Sequence, residues 1–129
     1  MLEEAIYGLL TATDAVEVLV GTRITPVLLP PEQCLPAVTY QVVSERHLYA
    51  IDGKVNVYEK RMQFDVWADT WRKARTAAAA IEDVLDDYSG VLPGGIRIFG
   101  VQVVSSFEGY ESAARIFRVM TEYAVQYAR

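Results

Sequence analysis

Between Val57 and Tyr88 the chain changes its hydrophobic period once, and that change restricts what it can fold into more than any other feature. From Tyr58 to Ala68 the apolar side chains are Tyr58, Met62, Phe64, Val66 and Ala68, with Glu59, Arg61, Gln63 and Asp65 between them. Alternation of this kind belongs to a strand with one face buried and the other solvated or paired. Lys60 interrupts the apolar face near the strand's start, where its stem is expected to lie on the core edge with the ammonium in water. At Asp69 the period lengthens. Asp69 or Thr70 suits a helix N-cap, and Ala74, Ala77, Ala78, Ile81, Val84, Leu85 and Tyr88 then recur at spacings of three and four. Ser89 and Gly90 supply the stop, since glycine is free to take a positive φ. The pattern predicts a strand over 57–68 and a helix over 70–88.

The rest of the chain is read around that unit. Leu2, Ala5, Ile6, Leu9 and Leu10 form one stripe and predict an amphipathic helix over 2–12. Thr13 and Asp14 restart a helical turn that runs through Val20 to Gly21. Residues 22–36 carry prolines at 26, 30, 31 and 36, so an extended surface connector is expected there. Ile24, Val27, Leu28 and Leu29 in that connector are apolar, which means that they pack back on the domain or face a neighbour.

Residues 37–45 read as the first sheet strand, and residues 47–55 as a link with a turn at Asp52-Gly53. Leu48, Tyr49 and Ile51 make the tip of that link apolar; either it touches something outside the domain or it folds over the sheet edge. Residues 96–105 form a third strand whose phase slips at Gly100, as a bulge would cause. Phe107 to Ser112 reads as a turn-rich link, and 114–127 as the fourth strand. The sum is a single α+β domain over 1–129. Two hairpins joined by a helix predict a four-stranded antiparallel sheet with helices on one face, in the order α-β-β-α-β-β.

Composition narrows the function classes. The 129 residues are 52% hydrophobic and 22% charged, as in an ordinary folded domain. A net charge of −5 argues against wrapping a nucleic acid, because phosphate binding needs clustered cations. Arg72, Lys73 and Arg75 do cluster, but Glu82, Asp83, Asp86 and Asp87 follow on the same helix, an order that opposes its macrodipole. A solvated face or a partner surface accounts for it. No apolar run reaches the roughly 18 residues of a bilayer span, so no membrane partner is expected. The acidic start of MLEEAIYGLL does not resemble a signal peptide.

Candidate chemistry is sparse. Cys34 is the single cysteine, which excludes an internal disulfide, and it has no basic neighbour to activate it. His47 is the single histidine, and Ser44 and Glu45 near it alternate across the strand. Asp83, Asp86 and Asp87 are spaced to attract a hard cation, but solvated helix acids look the same. Pro93-Gly94-Gly95 lacks the lysine and following helix of a phosphate loop. Glu59, Arg61, Gln63 and Asp65 suit pairing with Arg118 and Glu122 on another strand, or a protein interface, better than acid–base catalysis. No catalytic, cofactor-binding or metal site is expected, and no enzyme signature is present.

Three stretches nevertheless form a pattern: Leu19-Val20-Gly21-Thr22-Arg23-Ile24 entering the proline-rich link, Leu35-Pro36-Ala37-Val38-Thr39-Tyr40, and Met62-Gln63-Phe64-Asp65-Val66-Trp67-Ala68 before an alanine-rich helix. Together they resemble the tail-completion family (tail terminators, or tail-to-head joining proteins) of long-tailed bacteriophages and prophages, over nearly the whole chain. That resemblance implies a small structural subunit of the virion, assembled in the host cytoplasm into a hexameric ring at the head–tail junction. Its implied partners are the major tail tube protein and a head completion or stopper protein, with DNA passing through the lumen. The family brings no catalytic residue and no cofactor. Leu48, Tyr49 and Ile51 on the hairpin link, and Ile24, Val27 and Leu28 on the connector, are the expected interface residues, one patch for each side of a head-to-tail contact. Two rival readings remain: a small-ligand-binding or enzymatic α/β sandwich with a pocket between sheet and helices, and a host interaction module derived from a prophage.

Overall fold

A computed structural model describes residues 1–29, 34–51 and 53–128. The elements are α1 (Leu2–Ala12), α2 (Asp14–Val20), β1 (Ile24–Pro26), β2 (Ala37–Ala50), β3 (Gly53–Ala68), α3 (Trp71–Leu85), β4 (Gly90–Leu92), β5 (Ile96–Glu111) and β6 (Ile116–Ala128). The strands form one six-stranded sheet in the order β1-β2-β3-β6-β5-β4, curled into a half-barrel. β1 runs parallel to β2, and every other pair is antiparallel.

This corrects the expected four-stranded antiparallel sheet and its α-β-β-α-β-β order. The antiparallel set β2-β3-β6-β5 sits inside a mixed sheet, and each of its outer strands gains a three-residue neighbour. Three residues are too few to show a period of two. β1 lies in the proline connector, where Pro26 has no amide to donate, and β4 lies among glycines. Only long-range pairing turns such segments into strands. Prolines 30 and 31 and Asp52 of the turn signal lie outside the described residues.

The long strands also run further than expected. β2 and β3 extend to Ala50 and from Gly53, so most of the supposed link is hairpin arm. Phe107 to Glu111, read as a turn, pairs with Ile116–Met120 instead. Tyr110 lies against Phe117 at 4.8 Å between ring centres, and the Ser106 and Thr121 hydroxyls are 3.3 Å apart, so side chains hold the arms across the pair. The slip expected at Gly100 appears as a register shift between Ile98 and Gly100, and a second follows between Val103 and Ser105.

α3 lies across β3 and β6 and buries Ala74, Ala77, Ala78, Ile81 and Leu85. The alanines let the helix backbone come close to the sheet. Thr70 is the cap: its hydroxyl accepts the Lys73 amide at 3.2 Å. The helix stops at Leu85, before the expected Tyr88, and Asp87 takes the positive φ. α2 packs between α1 and α3. Lys60 does not reach for water as expected. It donates to Glu3 of α1, with its ammonium 5.8 Å from the centre of the Tyr127 ring, so an ion pair fastens the N-terminal helix to the middle of the sheet.

Two groups in this core make stability depend on pH. Burial pushes the Glu3 carboxyl up, but hydrogen bonds from Lys60 and the backbone outweigh it and leave the group below its ordinary value. A depressed carboxylate stabilises the fold above its unfolded pKa of about 4.3, and that contribution fades as pH falls through the folded value. Glu3→Gln is therefore expected to be less stable than wild type at neutral pH, and the gap in urea midpoint should close on acidification. A gap that stays constant down to acid pH would show the ion pair to be idle.

Burial, reinforced by Glu82 and Asp83 of α3 and by Asp86 just past its end, pushes the Tyr123 phenol far up. Its hydroxyl has no hydrogen-bond partner among the described residues. The raised phenol pKa by itself has no effect on stability at neutral pH and removes stability above about pH 10, where the unfolded chain ionises and the folded one cannot. Tyr123→Phe should therefore stabilise the protein by about 1 kcal/mol at pH 7, because an unpaired buried hydroxyl is lost. It should also flatten the alkaline arm of stability against pH, read by urea titration.

Candidate interaction surface

Among the described residues, the sheet's polar face carries most of the ionisable side chains that pair with one another. Asp65 accepts from Arg118 at 3.1 Å and from Gln63 at 3.1 Å, and the Arg118 guanidinium lies 5.0 Å from the Trp67 ring centre. Trp67 in turn donates to Thr39 at 3.0 Å. Glu59 accepts from Arg46 and from Gln126, each at 3.3 Å, and Arg61 reaches Glu122 at 3.4 Å. Glu59, Arg61 and Asp65 of β3 thus pair across neighbouring strands, while Gln63 bonds Asp65 within β3. His47 stands edge-on to Tyr58 with ring centres 4.7 Å apart, and Cys34 is exposed. Among the described residues no group of three His, Cys, Asp or Glu is placed to hold a metal ion, and no helix is long and apolar enough to cross a membrane.

Two open clefts lie at the rims of the domain, away from its buried centre. One of about 380 Å³ is lined by Glu3, Pro26, Val27, Tyr40, Gln41 and Val42. The other, of about 320 Å³, lies between α1 and the turn at Pro93 and Gly94. The space between sheet and helices is instead packed with one continuous apolar core.

The surface is more informative than the clefts. Val27 and Leu28 are 70% and 74% exposed, Tyr49 is 69% exposed and Ile51 fully so, while Leu48 is half-buried. Ile24 is the exception. At 4% exposure it belongs to the core and is no part of a surface. The remaining residues do not sit on opposite sides of the domain, as the sequence led us to expect. Val27 and Leu28 follow β1, which pairs with β2 at Val38–Tyr40, and Tyr49 is near the other end of β2. Both patches therefore lie along a single edge of the sheet.

The opposite edge carries a set that the sequence reading missed. Val91 on β4 and Val104, Phe107 and Tyr110 on β5 are 68%, 42%, 58% and 52% exposed. Trp71, also exposed, donates its indole N–H to Glu108 beside them. Their signal was hidden because FEGYES reads as a turn and because the second bulge shifts the phase at Val104. Single exposed apolar residues are ordinary, but clusters on both edges of one sheet make those edges the candidate interaction surfaces.

With that geometry in place, known proteins supply the context. No curated protein sequence matches the chain. A solved chain from the virion of a native gene transfer agent particle matches in fold, with a TM-score of 0.75 at 23% identity over 99% of this chain and 95% of that one. The family described as tail completion protein gp17 matches residues 4–128. A match across nearly every residue, including both sheet edges, places the chain in that family: it belongs to the tail completion proteins described as gp17.

Proposed function

We propose that copies of this chain form a homohexameric ring that ends the tail tube and joins it to the head. The observation that carries the reading is the family match over residues 4–128. The major tail tube protein would bind one side of the ring and a head completion or stopper protein the other, with DNA crossing the lumen. The site is the head–tail junction of the virion, with assembly in the host cytoplasm. Two apolar edges on one sheet support a heterologous contact, in which one patch meets a different patch on the next copy, and rotation closes such contacts into a ring. A net charge of −5 favours letting DNA pass over gripping it. The buried side chains between sheet and helices form one apolar cluster, which supports a structural role over ligand binding there.

The test has two parts. Light scattering of the purified protein should give six times the monomer mass, and negative stain of the protein mixed with tail tubes should show rings on tube ends. Particle-producing cells lacking the chain should accumulate unjoined heads and tails. Joined particles at normal abundance in those cells would sink the proposal.

A further inference from the structure

Each edge of the sheet is only partly covered, and the covered parts lie at opposite ends. β1 covers β2 at Val38–Tyr40, and β4 covers β5 at Ile96–Ile98. Across the ladders, Thr39 is level with Asp65, Met120 and Phe107. β1 thus stands at the height where β5 has no outer neighbour. Likewise Ile98 is level with Tyr127, Tyr58 and His47, so β4 stands at the height where β2 has none.

Strand direction agrees with this stepped outline. Three antiparallel steps separate β2 from β5, so the two run in opposite senses. β1 runs with β2, and β4 runs against β5; β1 and β4 therefore point the same way. One column between β2 of one copy and β5 of the next can hold β1 of the first and β4 of the second, one above the other. Both would run parallel to β2 and antiparallel to β5.

We infer that neighbouring copies in the ring join through this stepped edge. β1 of one copy lies against β5 of the next near Ser106–Glu108, and β4 of that copy lies against β2 of the first near His47–Tyr49. The inference rests on the ring reading above and specifies its contact. Apolar side chains lie close in height: Val27 and Leu28 follow Pro26, which is level with Ser106, and so come near Val104, while Val91 is level with Val57, one residue past the His47 level and beside Tyr49. The β4 side has the backbone for a ladder. The β1 side has less, because Pro26 lacks an amide and its carbonyl already accepts from Leu28, so packing dominates there. A second copy is the occupant because the two steps are complementary to each other, whereas a foreign strand would need to fit only one.

Cysteine cross-linking between differently marked copies tests the joint, all on a Cys34→Ser background. Adjacent strands lie about 5 Å apart, well within reach of a short bismaleimide. Co-expressed Tyr49→Cys and Val91→Cys subunits, and separately Val27→Cys and Val104→Cys subunits, should give linked heterodimers from assembled rings. Tyr49→Cys with Phe107→Cys, at opposite heights, should give none. Rings that link neither expected pair, or that link the control pair instead, overturn the stepped joint and leave the ring standing. A protein that stays monomeric both alone and on tail tubes overturns the ring, and the joint with it.

Discussion

Leu85→Ala is expected to lower the unfolding free energy by about 2–5 kcal/mol, the usual range for truncating a buried leucine. Leu85 is 1% exposed in the last turn of α3. The buried face of that helix begins with Ala74, Ala77 and Ala78, which contribute closeness but little side-chain area. Ile81 and Leu85 are thus its large apolar anchors, and β3 and β6 beneath them are long strands that will not readily collapse into the void. Urea denaturation followed by far-UV circular dichroism reads the loss. An unchanged midpoint would mean that α3 does not depend on its C-terminal anchor.

The second large effect is on assembly. Replacing Tyr49 and Ile51 together with aspartate should convert the proposed ring to a folded monomer. Both side chains are exposed, so the substitutions leave the core intact. Tyrosine is a common energetic centre of interfaces, and its truncation there costs about 2 kcal/mol or more. In a ring that loss recurs at every contact, and a buried unpaired carboxylate adds to it. Sedimentation velocity over a range of concentrations, with circular dichroism as the folding control, gives the answer. A double variant that sediments like wild type would remove the hairpin tip from the contact.

The helices and the middle of the sheet were legible in the sequence for a common reason: each is long enough to show its period. α1 begins and ends at Leu2 and Ala12, as its stripe implies, and β3 runs to Ala68, where the period changes. Even the first bulge was visible, because Gly100 sits where the alternation slips. The candidate interface was half legible. Tyr49 and Ile51 stood out as apolar residues in an apparent turn, and they are exposed, as are Val27 and Leu28. Ile24 has the same composition signal, yet it points into the core. Direction, which separates it from Val27, depends on pairing with Val38 and not on residue type.

The sequence by itself therefore determined the long elements and the family pattern in its three motifs, because these follow from local periodicity and residue chemistry. Only tertiary structure decided the rest. It recruited Ile24–Pro26 and Gly90–Leu92 as edge strands, joined Lys60 to Glu3 and carried the hairpin arms on through the apparent turns. It also gathered Val91, Val104, Phe107 and Tyr110 on the edge opposite Val27 and Tyr49. Three-residue strands and strand edges have no local signature, since their hydrogen bonds and neighbours come from residues far away in the chain.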